Sequence, residues 1–266
     1  ALSRFTLATM GSDEHFFLWS LPDLQMDGWS WPIVFAEVSE IYGASVEGRS
    51  VSLEDARPYH DYLQWLESHD LSDAEAFWKQ HLAGFGHVTP VPTNFSHRNA
   101  SRVVAEAHAT VEGSLATTAR RLRTTPGALV QAAWGILLSA ASGLDDVIFG
   151  TAFSGRPAEI DDVGGIVGPF TNNLPIRIKA IPQQPVAELA RQLQGDLFVL
   201  NAYQHTPITQ IQEWSELPWS ERLFESLVVF QNYQVSDSAR RLSDDIAIDD
   251  FEGPIHTNYP LTLIAT

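Results

Sequence analysis

A mixed α/β (α+β) fold, sheet and helix packed in layers, is what this 266-residue sequence predicts, and three observations predict it. Short runs rich in β-branched and aromatic residues, such as 147–153, recur along the chain. Between them lie segments whose apolar residues repeat at helical spacing, the broadest over 129–141. Apolar residues make up 44% and charged residues 18%, the balance of a globular protein with substantial buried cores rather than a disordered one.

The elements follow in order. Residues 5–9 and 16–19 are β-prone around the polar turn Gly11-Ser12-Asp13-Glu14, which predicts a hairpin. Residues 21–28 carry a proline and a glycine and read as irregular. Ile33, Val34, Val38, Ile41 and Tyr42 then repeat at helical spacing, with Gly43 as the expected end of that helix. Residues 61–82 are helical in two pieces, the second opened by a capping box at Ser72-Asp73-Ala74-Glu75. A loop rich in Gly, Pro, Asn and Ser spans 83–102, and an alternating strand is expected at 103–111. Residues 114–123 begin a helix pair. Thr125-Pro126 supplies an N-cap and a first-position proline for its second member, on which Leu129, Trp134, Leu137 and Leu138 lie on a broad apolar face. Further strands are expected at 174–178, 227–230 and 261–264, and a helix at 186–200.

Composition excludes several functions. The chain has no cysteine, which removes disulfides, thiolate catalysis and cysteine metal sites and fits a cytoplasmic protein. Its 33 acidic against 16 basic residues give a net charge of -17, so nucleic acid and anionic membranes are poor partners. No apolar run approaches the roughly 20 residues that cross a bilayer. The nine histidines show no zinc-ligand spacing, and no metal site is expected. Nucleophile-elbow and phosphate-loop patterns are missing as well.

Several stretches resemble condensation domains of nonribosomal peptide synthetases, in that family's order and spacing. Asp27-Gly28-Trp29-Ser30 is similar to the end of its HHxxxDGWS signature. Arg57-Pro58-Tyr59-His60-Asp61-Tyr62, Ser154-Gly155-Arg156-Pro157, Val167-Gly168-Pro169-Phe170-Thr171-Asn172 and Leu223-Phe224-Glu225-Ser226-Leu227 follow. The resemblance implies a chloramphenicol-acetyltransferase-like fold of two lobes. Residues 1–70 would be the end of the N-terminal lobe with a degenerate signature loop, and residues 71–266 most of the C-terminal lobe, with further segments before Ala1 and after Thr266. It implies a reaction in which an acceptor amine attacks a carrier-bound thioester and forms an amide. The implied partners are upstream and downstream carrier proteins and an adenylation domain of the same megasynthase. No cofactor binds directly; the substrates arrive on the carriers' phosphopantetheine arms.

The site residues implied by this resemblance are Asp23, Asp27, Gly28 and Asn232 as the catalytic set, and Ser154 and Arg156 along the substrate tunnel. The two signature histidines fall on Pro22 and Asp23, so the imidazole that would accept the amine proton is replaced by a carboxylate. Imidazole titrates near neutrality, whereas a carboxylate is a weak base at pH 7. Loss of such help costs about 10²–10⁴-fold in rate, although orientation alone lowers a barrier by roughly 7–11 kcal/mol in favourable cases. Two alternatives stay open: a silent docking domain and an ester-forming acyltransferase. Plain structural readings stand beside the functional ones. Asp23 would cap a turn, Trp29 would belong to a core, Asn232 would form a turn after a strand, and Arg156 would pair with Glu159 on the surface. Asp27 is expected to orient its loop through an arginine in the region before Ala1, and Gly28 to need a left-handed φ or a close backbone approach.

Overall fold

The computed structural model describes residues 2–91, 105–179, 184–231, 242, 246, 248 and 257–266, and it divides into two compact units. The first unit comprises residues 1–69, 154–171 and 233–254; the second comprises 70–153, 172–232 and 255–266.

In the first unit, β1 (Arg4–Thr9) and β2 (His15–Ser20) form the expected antiparallel hairpin, with Phe5 opposite Trp19 and Leu7 opposite Phe17. Two strands alone are marginal in water. A row of rings ties this pair to α1 (Ser30–Glu47): Phe5 to Trp19 at 5.2 Å, Trp19 to Trp31 at 5.1 Å and Trp31 to Phe35 at 5.6 Å between centroids. The helix does not stop at Gly43. An interior glycine costs only about 1 kcal/mol, and the left-handed φ of 67° that closes the helix belongs to Gly48, whose N–H returns to the Ala44 and Ser45 carbonyls. After α2 (His60–Ser68), a small core gathers Tyr62, Ile160, Ile166 and Phe170, with Tyr59, Trp65, Leu66 and Val163 packed around it.

The second unit is built on a four-stranded sheet in the order β4-β3-β5-β6. Strand β3 (Asp146–Phe153) pairs antiparallel with β4 (Asn172–Lys179) and parallel with β5 (Ser226–Phe230), which pairs parallel with β6 (Leu261–Ala265). All four strands fall where the β-prone runs lie. Its helices are α3 (Ser72–Leu82), α4 (Leu115–Leu122), α5 (Pro126–Ser142), α6 (Val186–Asn201) and α7 (Ile208–Trp214). The core holds Trp78, Phe85, Leu138, Phe149, Leu174, Ile176, Leu193 and Phe224. Two glycines are used for close packing. On α5, Gly135 receives the Ile178 side chain, and on β3 Gly150 receives the Phe224 ring; a Cβ would lie 2.6 Å and 2.1 Å from them.

Caps decide the helix starts. Thr125 Oγ1 accepts from Ala128 N–H, as the expected N-cap does, and Ser114 Oγ accepts from Thr117 N–H, so that residue caps α4 rather than lying in its first turn. The capping box at Ser72 does not form: Asp70 Oδ1 takes the Ser72 N–H at 2.9 Å and its hydroxyl at 2.6 Å, because the helix begins at Ser72 rather than after it. Residues 105–111 form no strand. They are exposed, and alanine, frequent there, has little preference for a pleated surface; 103 and 104 lie outside the described residues. Helix α7, which periodicity did not single out, buries Ile211.

At the end of α3, His81 stacks on Phe77 at 5.4 Å and meets Trp78 edge-on at 5.7 Å. Burial, reinforced by the nearby Arg177 guanidinium, lowers its pKa to about 4. Above an unfolded value of about 6.5 neither state binds the proton. Between there and about 4 the unfolded chain takes it up and the folded chain does not, so stability falls as pH falls. Urea unfolding across this range should lose roughly 2–3 kcal/mol on this account, and His81→Phe should flatten that limb. An acid limb identical in the variant would refute the assignment.

Candidate active site

The site is a loop between β2 and α1, gripped by the segment 154–171 of the same unit. Gln25 N–H donates to Pro22 O at 3.0 Å, closing a turn that exposes Pro22 and Asp23, and Ser3 Oγ donates to Gln25 Oε1 at 2.8 Å. Asp23 therefore sits at the solvent-facing tip of a fixed turn.

Asp27 lies at the opposite extreme. Its side chain is 5% exposed, and Arg156, 8% exposed, donates Nη1 to Oδ2 at 2.7 Å and Nη2 to Oδ1 at 3.2 Å. This two-pronged pairing is the strong form of an ion pair, because the planar fork matches the carboxylate. Oδ1 also accepts Ser30 N–H at 3.1 Å and Ser30 Oγ–H at 2.9 Å. Oδ2 accepts the Phe170 and Thr171 N–H groups, both at 3.2 Å, and the Thr171 hydroxyl at 3.3 Å. So many donors leave the carboxylate no free lone pair with which to take a substrate proton. Its work is to fix the loop.

The arginine of Asp27 is thus Arg156, inside the chain, not a residue before Ala1. Arg156 is not a surface partner of Glu159 either: its guanidinium lies 4.3 Å from the Phe170 ring centroid and donates to Ile166 O at 3.2 Å. Gly155 makes this approach possible. It takes a left-handed φ of 69°, and a Cβ on it would fall 1.7 Å from Phe170 O. Ser154, half-buried, opens the same segment directly after β3. Gly28 forms the turn into α1 without a left-handed φ, and Trp29 beside it is 38% exposed, not a core residue. Asn232 lies outside the described residues.

Two residues were not singled out from sequence. Ser30, fully buried, accepts the Gly168 N–H at 3.1 Å, while Gly168 O accepts the Asp27 N–H at 3.3 Å. Tyr59 lays its ring over Gly168, where a Cβ would be 2.1 Å from it, and donates its hydroxyl to Pro169 O at 3.1 Å. Burial, and secondarily the Asp27 charge, raises the Tyr59 pKa. The three-residue offset of Ser30 from Asp27 is the one local signal, since an aspartate there accepts from the backbone of a helix's first residue. Among the described residues no cluster of potential ligands could hold a metal, and no helix is long and apolar enough to cross a membrane.

Comparison with solved structures defines the class: a chloramphenicol-acetyltransferase-like fold. The starter condensation domain of rhizomide synthetase aligns with a TM-score of 0.70 at 20% identity, over 86% of this chain and 53% of that one. The X-domain from teicoplanin biosynthesis aligns at 0.69 with 22% identity, over 86% of this chain and 54% of that one. The chain belongs to the condensation-domain family, whose model, Condensation domain, matches residues 1–266. Among curated proteins, a linear gramicidin synthase of Brevibacillus parabrevis is 38% identical over 271 residues, covering 99% of this chain and 5% of that protein. Bacitracin synthase 3 of Bacillus licheniformis is 31% identical over 273 residues, covering 99% of this chain and 4% of that protein. The chain thus spans about half the solved domains and a small part of the synthases.

Proposed function

We propose that this chain is part of a condensation domain in a nonribosomal peptide synthetase of the cytoplasm, which joins a carrier-bound acyl or aminoacyl thioester to an acceptor amine. The observation that carries the reading is the family match along the whole chain, together with the buried Asp27–Arg156 pair that holds the signature loop in one conformation. In the reaction the amine nitrogen forms a bond to the thioester carbonyl carbon, the carbon–sulfur bond breaks, and the amine's proton ends on solvent or on the departing thiol. The carrier domains bring both substrates on phosphopantetheine arms, and an adenylation domain of the same assembly loads them. Asp27, Ser30 and Arg156 position the loop; Ser154, at the head of the gripping segment, is the tunnel-side residue; Gly28 lets the loop turn into α1; and Asn232 is kept in the catalytic set on the family resemblance alone.

Asp23 occupies the place of the proton-accepting imidazole and is exposed. A solvated carboxylate aids this reaction by attracting the acceptor ammonium rather than by taking its proton. In the complete synthetase, with donor and acceptor loaded on their carriers, Asp23→His is expected to raise the rate of amide formation at least about tenfold. No gain, with carriers shown to be loaded, would sink the catalytic reading and leave a docking domain.

A further inference from the structure

The acidic surplus of the chain makes it informative where basic side chains go. Arg49, Arg57, Lys79, Arg156 and Arg177 each form an ion pair with a carboxylate, as expected with 33 acidic against 16 basic residues. Arg120, Arg121, Arg123 and Arg191 depart from that pattern. All four are exposed, and none forms an ion pair among the described residues. Arg4, Lys179 and Arg222, which likewise form no ion pair among the described residues, are scattered along the chain, whereas these four are gathered at one place.

Helix α4 and its junction with α6 do the gathering. Arg120 and Arg121 occupy the last turn of α4. Arg191 of α6 donates Nη1 to Leu122 O at 3.3 Å, and Thr124 Oγ1 donates to Ala190 O at 3.2 Å, so the end of α4 is pinned against α6. Among the described residues Arg120 reaches along its own helix, to Ala116 O at 3.4 Å and Thr117 Oγ1 at 3.5 Å. Arg123 is the C-cap, in the left-handed conformation with φ 58°, the geometry that Gly48 and Gly143 supply for α1 and α5. An arginine there is strained where glycine would not be. The negative end of the α4 dipole amounts to about half a charge and balances part of one of the four cations.

We infer that this arginine patch is a docking surface for an acidic face of a partner protein or domain. Successive residues on a helix diverge by about 100°, so the Arg120 and Arg121 guanidinium groups spread over a surface instead of converging on one small anion. The net charge of -17 opposes the continuous field of a nucleic acid or an anionic bilayer. A folded partner that presents discrete carboxylates meets the patch without facing the rest of the chain. The inference stands apart from the catalytic reading, since it uses none of the site residues.

The test titrates the 266-residue chain with a fluorescently labelled oligoglutamate peptide at low ionic strength. Saturable binding is expected, weakened at least about tenfold by R120E/R121E. Because charge reversal could disturb α4, Arg123→Gly is the second variant: it suits the left-handed cap, so the fold holds while binding weakens. Absence of binding by the native chain, or equal binding by both variants, overturns the inference. So does inorganic phosphate or duplex DNA that binds the patch in preference to the peptide.

Discussion

Arg156→Ala is expected to destabilise the first unit by roughly 3–5 kcal/mol, because it leaves Asp27 as a buried carboxylate without its cation. The side chain of Asp27 is 5% exposed, so water does not replace the lost partner without opening the loop. Five main-chain and hydroxyl donors from Ser30, Phe170 and Thr171 would remain within reach, and they keep the penalty below that of a bare charge. Arg156→Lys should recover part of the loss. Lysine restores charge but neither the two-pronged geometry nor the stacking on Phe170. The measurement is urea unfolding of each variant, with amide exchange at Phe170 and Thr171 as the local probe. Equal stability of the alanine variant would mean that the pair does not hold the loop.

Those effects bear on what the sequence could reveal. Each strand of the second unit has a period-2 or continuous apolar run, and Ser114 and Thr125-Pro126 carry their caps within a few residues; local patterns of that kind are readable. Asp27 was readable too, through the Asp-Gly-Trp-Ser string. Its partner was not. Arg156 is 129 residues away, and the pairing depends on a tertiary path no periodicity encodes. The same holds for Tyr59 over Gly168, separated by loops whose course only the packed unit defines. The shorter misses have local causes. The spacing predicts Gly43 as the end of α1, but the helix runs on to Gly48, whose φ turns left-handed. The capping box is displaced because Asp70 takes both the Ser72 N–H and its hydroxyl, while Glu75 pairs with Lys79 instead of turning back to the helix start.

Gly155→Ala is expected to be the most damaging single change in the site, and the chain contains its own control. At Gly48 φ is 67°, and a Cβ there would meet nothing within 4 Å. Gly48→Ala should therefore show the left-handed penalty alone, about 1–2 kcal/mol. At Gly155 φ is 69°, so the same penalty applies, but a Cβ would also lie 1.7 Å from Phe170 O. That oxygen belongs to backbone, and Phe170 is 2% exposed in the aromatic core, so it cannot rotate aside as a side-chain tip would. Relief requires the 166–171 segment to move, which carries the Phe170 and Thr171 N–H groups away from Asp27 and uncouples the loop that holds Asp23. The total should exceed about 4 kcal/mol, the range reserved for failures of core packing and special backbone geometry. If Gly155→Ala and Gly48→Ala cost the same in urea unfolding, the close approach to Phe170 does not constrain the site, and Arg156 must be aimed at Asp27 by something other than this glycine.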